Sequence, residues 1–362
     1  MKQLPIKLRP AITSECWTYN RTCIIETDPS GPEWVASHYT LFMHSGGHIS
    51  FGDGFDKPSM SYYDILEHQC VPLEQYGARE LIQRFEQWID EGYYVIVDVN
   101  LGDLVKDYKN FKVHEILLYG YDEQRRVFYS PLQNERNGQF ESFELEYDVI
   151  PPAIESVVAY YREAPLDRFE RFFNFFYPLS KLKIIPIRRD DNMFILRAFK
   201  KLEAEYYYSN CLEISRYGQK HELEEKLAHY TGLGCLIGMR EMLSHMIEGA
   251  ETTPPHDPYP NIDKVTNLFT LYEHRCIMRS MLELLREKLD IDNEAYNSAF
   301  ETYCSGIASM RESYLLMKKS QISGKLNSLP GIIQRLDVIY ESDYDSLRIM
   351  DDIAREKMSE RL

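Results

Sequence analysis

The chain reads as an α+β protein, with an antiparallel sheet in its first half and a mostly helical second half. Two patterns predict this. Between residues 78 and 145 an amphipathic helix leads into short β-branched and aromatic runs separated by turn chemistry. After residue 192 the apolar positions recur at helical spacing with little interruption. The change of pattern puts a boundary near residue 165, giving one domain over 1–165 and a helical one over 166–362.

Each element has its own signal. Ala78 to Glu91 places Leu81, Phe85, Trp88 and Ile89 on one face, so a helix feeds the strand Tyr93 to Val99, entered by Gly92 and left by Asn100. Val113 to Tyr121 is a second strand, closed by the turn residues Gly120-Tyr121-Asp122-Glu123. Val127 to Ser130 follows after a tight connection and completes a hairpin, and Phe140 to Leu145 alternates as the next antiparallel strand. Lys183 to Arg189 is one further strand. Helices are expected over Phe194–Tyr208, Glu222–Tyr230, Leu233–Glu248, Asp263–Leu289, Asn293–Lys318 and Pro330–Met358, with a Pro-rich loop at Thr252–Pro260. Leu268, Leu271, His274, Arg275 and Met278, continued by Leu282, Leu285 and Leu289, form a helix-packing stripe.

Composition narrows the function classes. The 362 residues are 44% hydrophobic, enough for a real core, and the net charge of −16 argues against nucleic acid, which needs clustered Lys and Arg. The acid excess is read as a means of solubility, with a basic patch facing an acidic carrier protein as the sharper alternative. Cysteines stand at 16, 23, 70, 211, 235, 276 and 304 without a CxxC pair, which speaks for reduced thiols and against zinc ribbons and disulfide frameworks. The first sixteen residues lack a signal peptide's apolar core, and no run is long enough to span a membrane. A cytoplasmic protein with no membrane partner, metal or cofactor is expected.

Cysteine catalysis needs an acidic thiol, an imidazole to take its proton and a group to orient that imidazole. Thr13-Ser14-Glu15-Cys16 has the chemistry of a helix start, with Thr13 or Ser14 as the cap, and Cys16 would sit where backbone N–H groups favour a thiolate. Cys23, two turns deeper, is the alternative nucleophile, although free cysteines are commonly core residues. His114 interrupts an apolar strand, where a polar side chain needs a partner. Other patterns are weaker. His44 and His48 are separated by Gly46 and Gly47, which disfavours a helical metal site, and Gly52-Asp53-Gly54 reads as a turn. Tyr206-Tyr207-Tyr208 reads as packing rather than a substrate channel.

A Cys near the N-terminus is followed by Ser45-Gly46-Gly47-His48-Ile49-Ser50-Phe51, then Val95-Ile96-Val97-Asp98, then His114-Glu115-Ile116-Leu117-Leu118-Tyr119-Gly120-Tyr121-Asp122. This order resembles papain-like cysteine domains of the type found at the N-terminus of butirosin-biosynthesis protein H. It also resembles the protease-homologue amide synthase of closthioamide biosynthesis. The likeness covers residues 10–160, and its most specific stretch is 93–130. It implies a papain-like domain in which Cys16 is the nucleophile and His114 the base. It further implies an acyltransferase that takes an acyl group from a phosphopantetheine thioester on an acyl or peptidyl carrier protein and passes it to an amine acceptor. In such domains an Asp-Pro orients the histidine, whereas here Ser130-Pro131 holds the matching place, sixteen residues after His114. Asp98, Asp122 and Asn134 are the alternative orienting residues. Pro10 stands near the place of the usual oxyanion glutamine, which weakens a protease assignment. The other outcomes kept open are a thioesterase or peptidase, and a catalytically silent module that binds a carrier protein.

Overall fold

A computed structural model describes residues 1–43, 47–53, 65–71, 77–104, 113–134, 139–163, 179–206, 230–247, 264–325 and 327–361. The chain is mixed, with antiparallel sheets and a helical C-terminal region. It divides into two compact units, Met1–Gly31 with Tyr62–Ile187, and Pro32–Ser61 with Arg188–Leu362. The expected boundary near residue 165 therefore falls later, and an early excursion of the chain joins the second unit. The cause is strand pairing, as shown below for each unit.

In the first unit the strands β1 (Lys2–Gln3), β4 (Leu66–Cys70), β5 (Tyr94–Asn100), β6 (Val113–Leu118), β7 (Gly120–Asp122), β8 (Val127–Gln133), β9 (Phe140–Glu146) and β10 (Leu179–Ile184) build two antiparallel sheets. Their orders are β1-β7-β8-β9 and β4-β10-β5-β6. The run expected as one strand over Val113–Tyr121 divides at Tyr119, because β6 pairs with β5 while β7 pairs with β8. Gly120 allows this, since a Cβ there would stand 2.6 Å from the Lys2 carbonyl oxygen of β1. The strand expected over Lys183–Arg189 lies at Leu179–Ile184 instead. Leu179 and Leu182 are buried in the middle of the sheet, and Pro186 lacks the N–H a longer ladder would need.

Helix α1 (Cys16–Ile25) packs on β6, while α3 (Ala78–Asp90) and α5 (Ile150–Glu163) help build the main core. Val95, Val97 and Val99 of β5 and Ile116 and Leu118 of β6 face Phe85, Trp88 and Ile89 of α3 and Ile150 and Ile154 of α5. The helical face expected for Ala78–Glu91 is thus the buried one. A short helix, α4 (Leu101–Leu104), follows β5.

Among its described residues the second unit holds α2 (Gly31–His38, from its second residue), a three-stranded sheet and five further helices. Strands β2 (Tyr39–Met43) and β3 (Ile49–Asp53) form a hairpin that pairs with β11 (Tyr230–Thr231) in the order β11-β2-β3, which draws residues 32–61 into this unit. The helices run Asp191–Tyr206, Gly234–Ile247, Lys264–Leu289, Glu294–Ser323 and Leu329–Ser359. Asn293, expected as a first helical residue, is the cap, its side chain accepting from the Tyr296 N–H at 3.1 Å. Tyr230, expected to end a helix, is in a strand. Residues 222–229 of that helix lie outside the described residues, as do Thr252–Pro260, His44, Gly46, Gly54, Tyr207 and Tyr208. The stripe from Leu268 to Leu289 is buried throughout.

Candidate functional site

Helix α1 begins at Cys16 itself, and its N-cap is Glu15 rather than Thr13 or Ser14. The Glu15 carboxylate accepts from Thr18 Oγ1 at 2.8 Å, and no cap side chain bonds the first-turn N–H groups. Cys16 is half-buried at the head of the helix, while Thr18 to Ile25 are all buried. Cys23 is fully buried, and its Sγ donates to the Asn20 carbonyl oxygen at 3.3 Å. Burial first, and then Glu26, push its thiol far above the usual cysteine range, so Cys23 is a packing thiol and not the alternative nucleophile.

Contacts along α1 tie it to β6. Near the C-terminal end of β6, the Leu4 N–H donates to the Tyr119 carbonyl oxygen, and three residues on, the Lys7 N–H donates to the Cys23 carbonyl oxygen. One turn earlier in the helix, Asn20 Nδ2 donates to the Glu115 carbonyl oxygen at 3.2 Å and to its Oε1 at 3.1 Å. Cys16 lies one more turn back in the helix, about 6 Å at 1.5 Å per residue.

His114 and Glu115 take opposite faces of the sheet. His114 pairs with Val99, and Val99 belongs to the core formed with α3 and α5. Glu115 pairs with Asp98 and turns its carboxylate to α1. By alternation along an unbroken ladder, His114 starts from the face opposite Glu115. Among the described residues β6 is the edge strand of its sheet.

The four orienting candidates separate by position. The β7–β8 register sets Gly120 against Tyr129, and Tyr119 donates to the Tyr129 carbonyl oxygen, so Ser130 is level with Tyr119. That is five strand residues from His114, about 16 Å, and Ser130 does not take the place of the orienting acid. Its Oγ is buried without a hydrogen-bond partner. Asp122 lies farther along still, where its Oδ1 accepts from the Arg125 N–H in the hairpin turn. Asp98 pairs with Glu115, one residue along from the His114–Val99 pair, and so lies on the Glu115 face. Asn134 follows β8 at the end that runs back toward His114, with its Nδ2 donating to Glu141 at 2.9 Å.

The residues most firmly built into this region went unmarked in the sequence. Arg21 and Glu115 form a two-pronged ion pair at 2.7 and 3.0 Å, with side chains only 6% and 7% exposed. Arg21 also donates to the Trp17 carbonyl oxygen at 2.8 Å and lies 4.0 Å from the centre of the Trp17 ring. A signal existed, because Glu115 interrupts the same apolar strand as His114 and needs a partner for the same reason.

Among the described residues, no group of three or more His, Cys, Asp or Glu is arranged to hold a metal, and no helix is long and apolar enough to cross a membrane. No protein-family model matches the chain, and no curated protein matches its sequence.

Proposed function

We propose that the chain is a papain-like, cysteine-dependent acyltransferase that takes an acyl group from a carrier-protein thioester and passes it to an amine. The observation that supports this reading is the placement of Cys16 on the first residue of α1, a helix that packs on the strand carrying His114. A thioester exchanges with a thiol at little cost, and the acyl-enzyme then waits for an amine if water is kept away. In this reading His114 takes the Cys16 proton and later that of the amine. The oxyanion would lie against the first-turn N–H groups of α1. A carrier-protein partner and a cytoplasmic setting belong to the same proposal.

A second reading, a silent papain-like module that binds a carrier protein, is favoured by the His114 ladder position on the Val99 face. Incubation with an acyl-N-acetylcysteamine thioester and intact-mass analysis separates the two. The transferase gives an acyl adduct that is absent in Cys16→Ala and forms about 10²- to 10⁴-fold more slowly in His114→Ala. Amide released on adding amines marks a transferase, and free acid alone marks a hydrolase. A wild-type chain that takes up no acyl group leaves the silent module standing.

A further inference from the structure

We infer that Cys70 is a reactive thiol with His68 as its base, a site that takes up small-molecule disulfides as a mixed disulfide; this is independent of the reading of Cys16. The two residues stand two apart on β4, so alternation sends both side chains to one face. There the Cys70 Sγ and the His68 Nε2 are 3.9 Å apart, within hydrogen-bond reach for sulfur. Cys70 is exposed, whereas Cys16, Cys276 and Cys304 are half-buried and Cys23 and Cys235 are buried. Thiol, base and access therefore coincide at one place, as attack on an electrophile requires.

The sheet supplies the surroundings. Cys70 pairs with the buried Ser180 of β10, whose hydroxyl bonds the thiol and favours its charged form, against the burial that raises its pKa. The ladder carries this row on through Ile96 to Leu117, two residues from Glu115, so the pair lies on the Glu115 face of the sheet. Burial first, and then the charge of Arg21, lower the His68 pKa to about 4, so at neutral pH the imidazole is a free base. The other titratable groups on that face are Tyr94 and Asp98 of β5, and Glu115, which Arg21 engages. In the step served, the Cys70 sulfur attacks one sulfur of the disulfide while His68 takes the thiol proton. One sulfur–sulfur bond forms as another breaks, and the displaced thiolate leaves and picks up that proton.

The test adds uncharged bis(2-hydroxyethyl) disulfide to the full chain and follows each cysteine by peptide mapping, which separates Cys70 from Cys16. At pH 7 Cys70 should be capped about tenfold faster than Cys276 or Cys304. His68→Gln should slow Cys70 about tenfold and steepen its pH profile toward one decade per unit, the behaviour of an unassisted thiol. Ser180→Ala keeps the imidazole and should move the profile to higher pH without changing its slope. The wild-type comparison needs no variant and so does not depend on how a substituted chain folds. A Cys70 capped no faster than Cys276 and Cys304 overturns the site. So does a Cys70 rate and pH profile unmoved by His68→Gln. Either result leaves the reading of Cys16 where it stands, because that reading is judged on acyl thioesters.

Discussion

Arg275 and Asp343 in the second unit are 3% and 0% exposed and join the helix Lys264–Leu289 to Leu329–Ser359, whereas Arg21 and Glu115 in the first unit join a helix to an edge strand beside a half-exposed tryptophan. Both pairs bury an arginine against a carboxylate. The Arg275 guanidinium also donates to the Tyr303 carbonyl oxygen, lies 4.6 Å from the Tyr303 ring centre and fits where Gly306 has no side chain. Tyr303, Gly306 and Asp343, which it meets, are buried, so its effect is on architecture. The Arg21 pair ends at Trp17, next in sequence to Cys16, so under the proposed function it bears on that site as well.

Three substitutions would break or sharpen that contrast. Asp343→Ala strands a fully buried guanidinium and should cost about 3–5 kcal/mol in urea unfolding. Loss of less than about 1 kcal/mol would mean that water reaches Arg275. Glu115→Gln should cost less, about 2–3 kcal/mol, because Arg21 keeps the Trp17 carbonyl oxygen and ring. It should also slow acylation of Cys16, an effect that Asp343→Ala at matched stability should not have. Equal acylation rates in the two variants would erase the distinction.

The third effect, read as a slope with pH, concerns Lys201, fully buried with its Nζ donating to the Ala36 carbonyl oxygen at 2.9 Å. Burial lowers its pKa to about 7, against the pull of Glu205. Between about 7 and the unfolded value of 10.5 the unfolded chain holds a proton that the folded one lacks, so stability rises with pH across that window. Below about 7 the cost of burial is fully present. Lys201→Met should flatten the rise, by at most about 1.4 kcal/mol per pH unit. Urea midpoints at pH 7, 8, 9 and 10 measure it, and an unchanged slope would point to another group.

Local patterns decided the elements they touch. The face of Ala78–Asp90, the β5 and β9 strands and the long stripe from Leu268 to Leu289 follow from side-chain periodicity, which neighbouring residues set between them. The helix start at Cys16 was legible too, although its cap residue was not, because Glu15 is held by Thr18 rather than serving the N–H groups. Spacing alone misled at Ser130, because counting sixteen residues ignores the register that β7 and β8 impose.

The sequence by itself determined two kinds of secondary structure in two halves, a thiol at a helix start and a polar pair, His114-Glu115, inside an apolar strand. Only the tertiary structure decided which member of that pair meets α1, since a strand sends consecutive side chains to opposite faces and pairing with β5 chose the faces. It likewise moved residues 32–61 into the second unit, and it placed Trp17 in the open beside Cys16. Such choices depend on partners distant in the chain, and no local pattern encodes them.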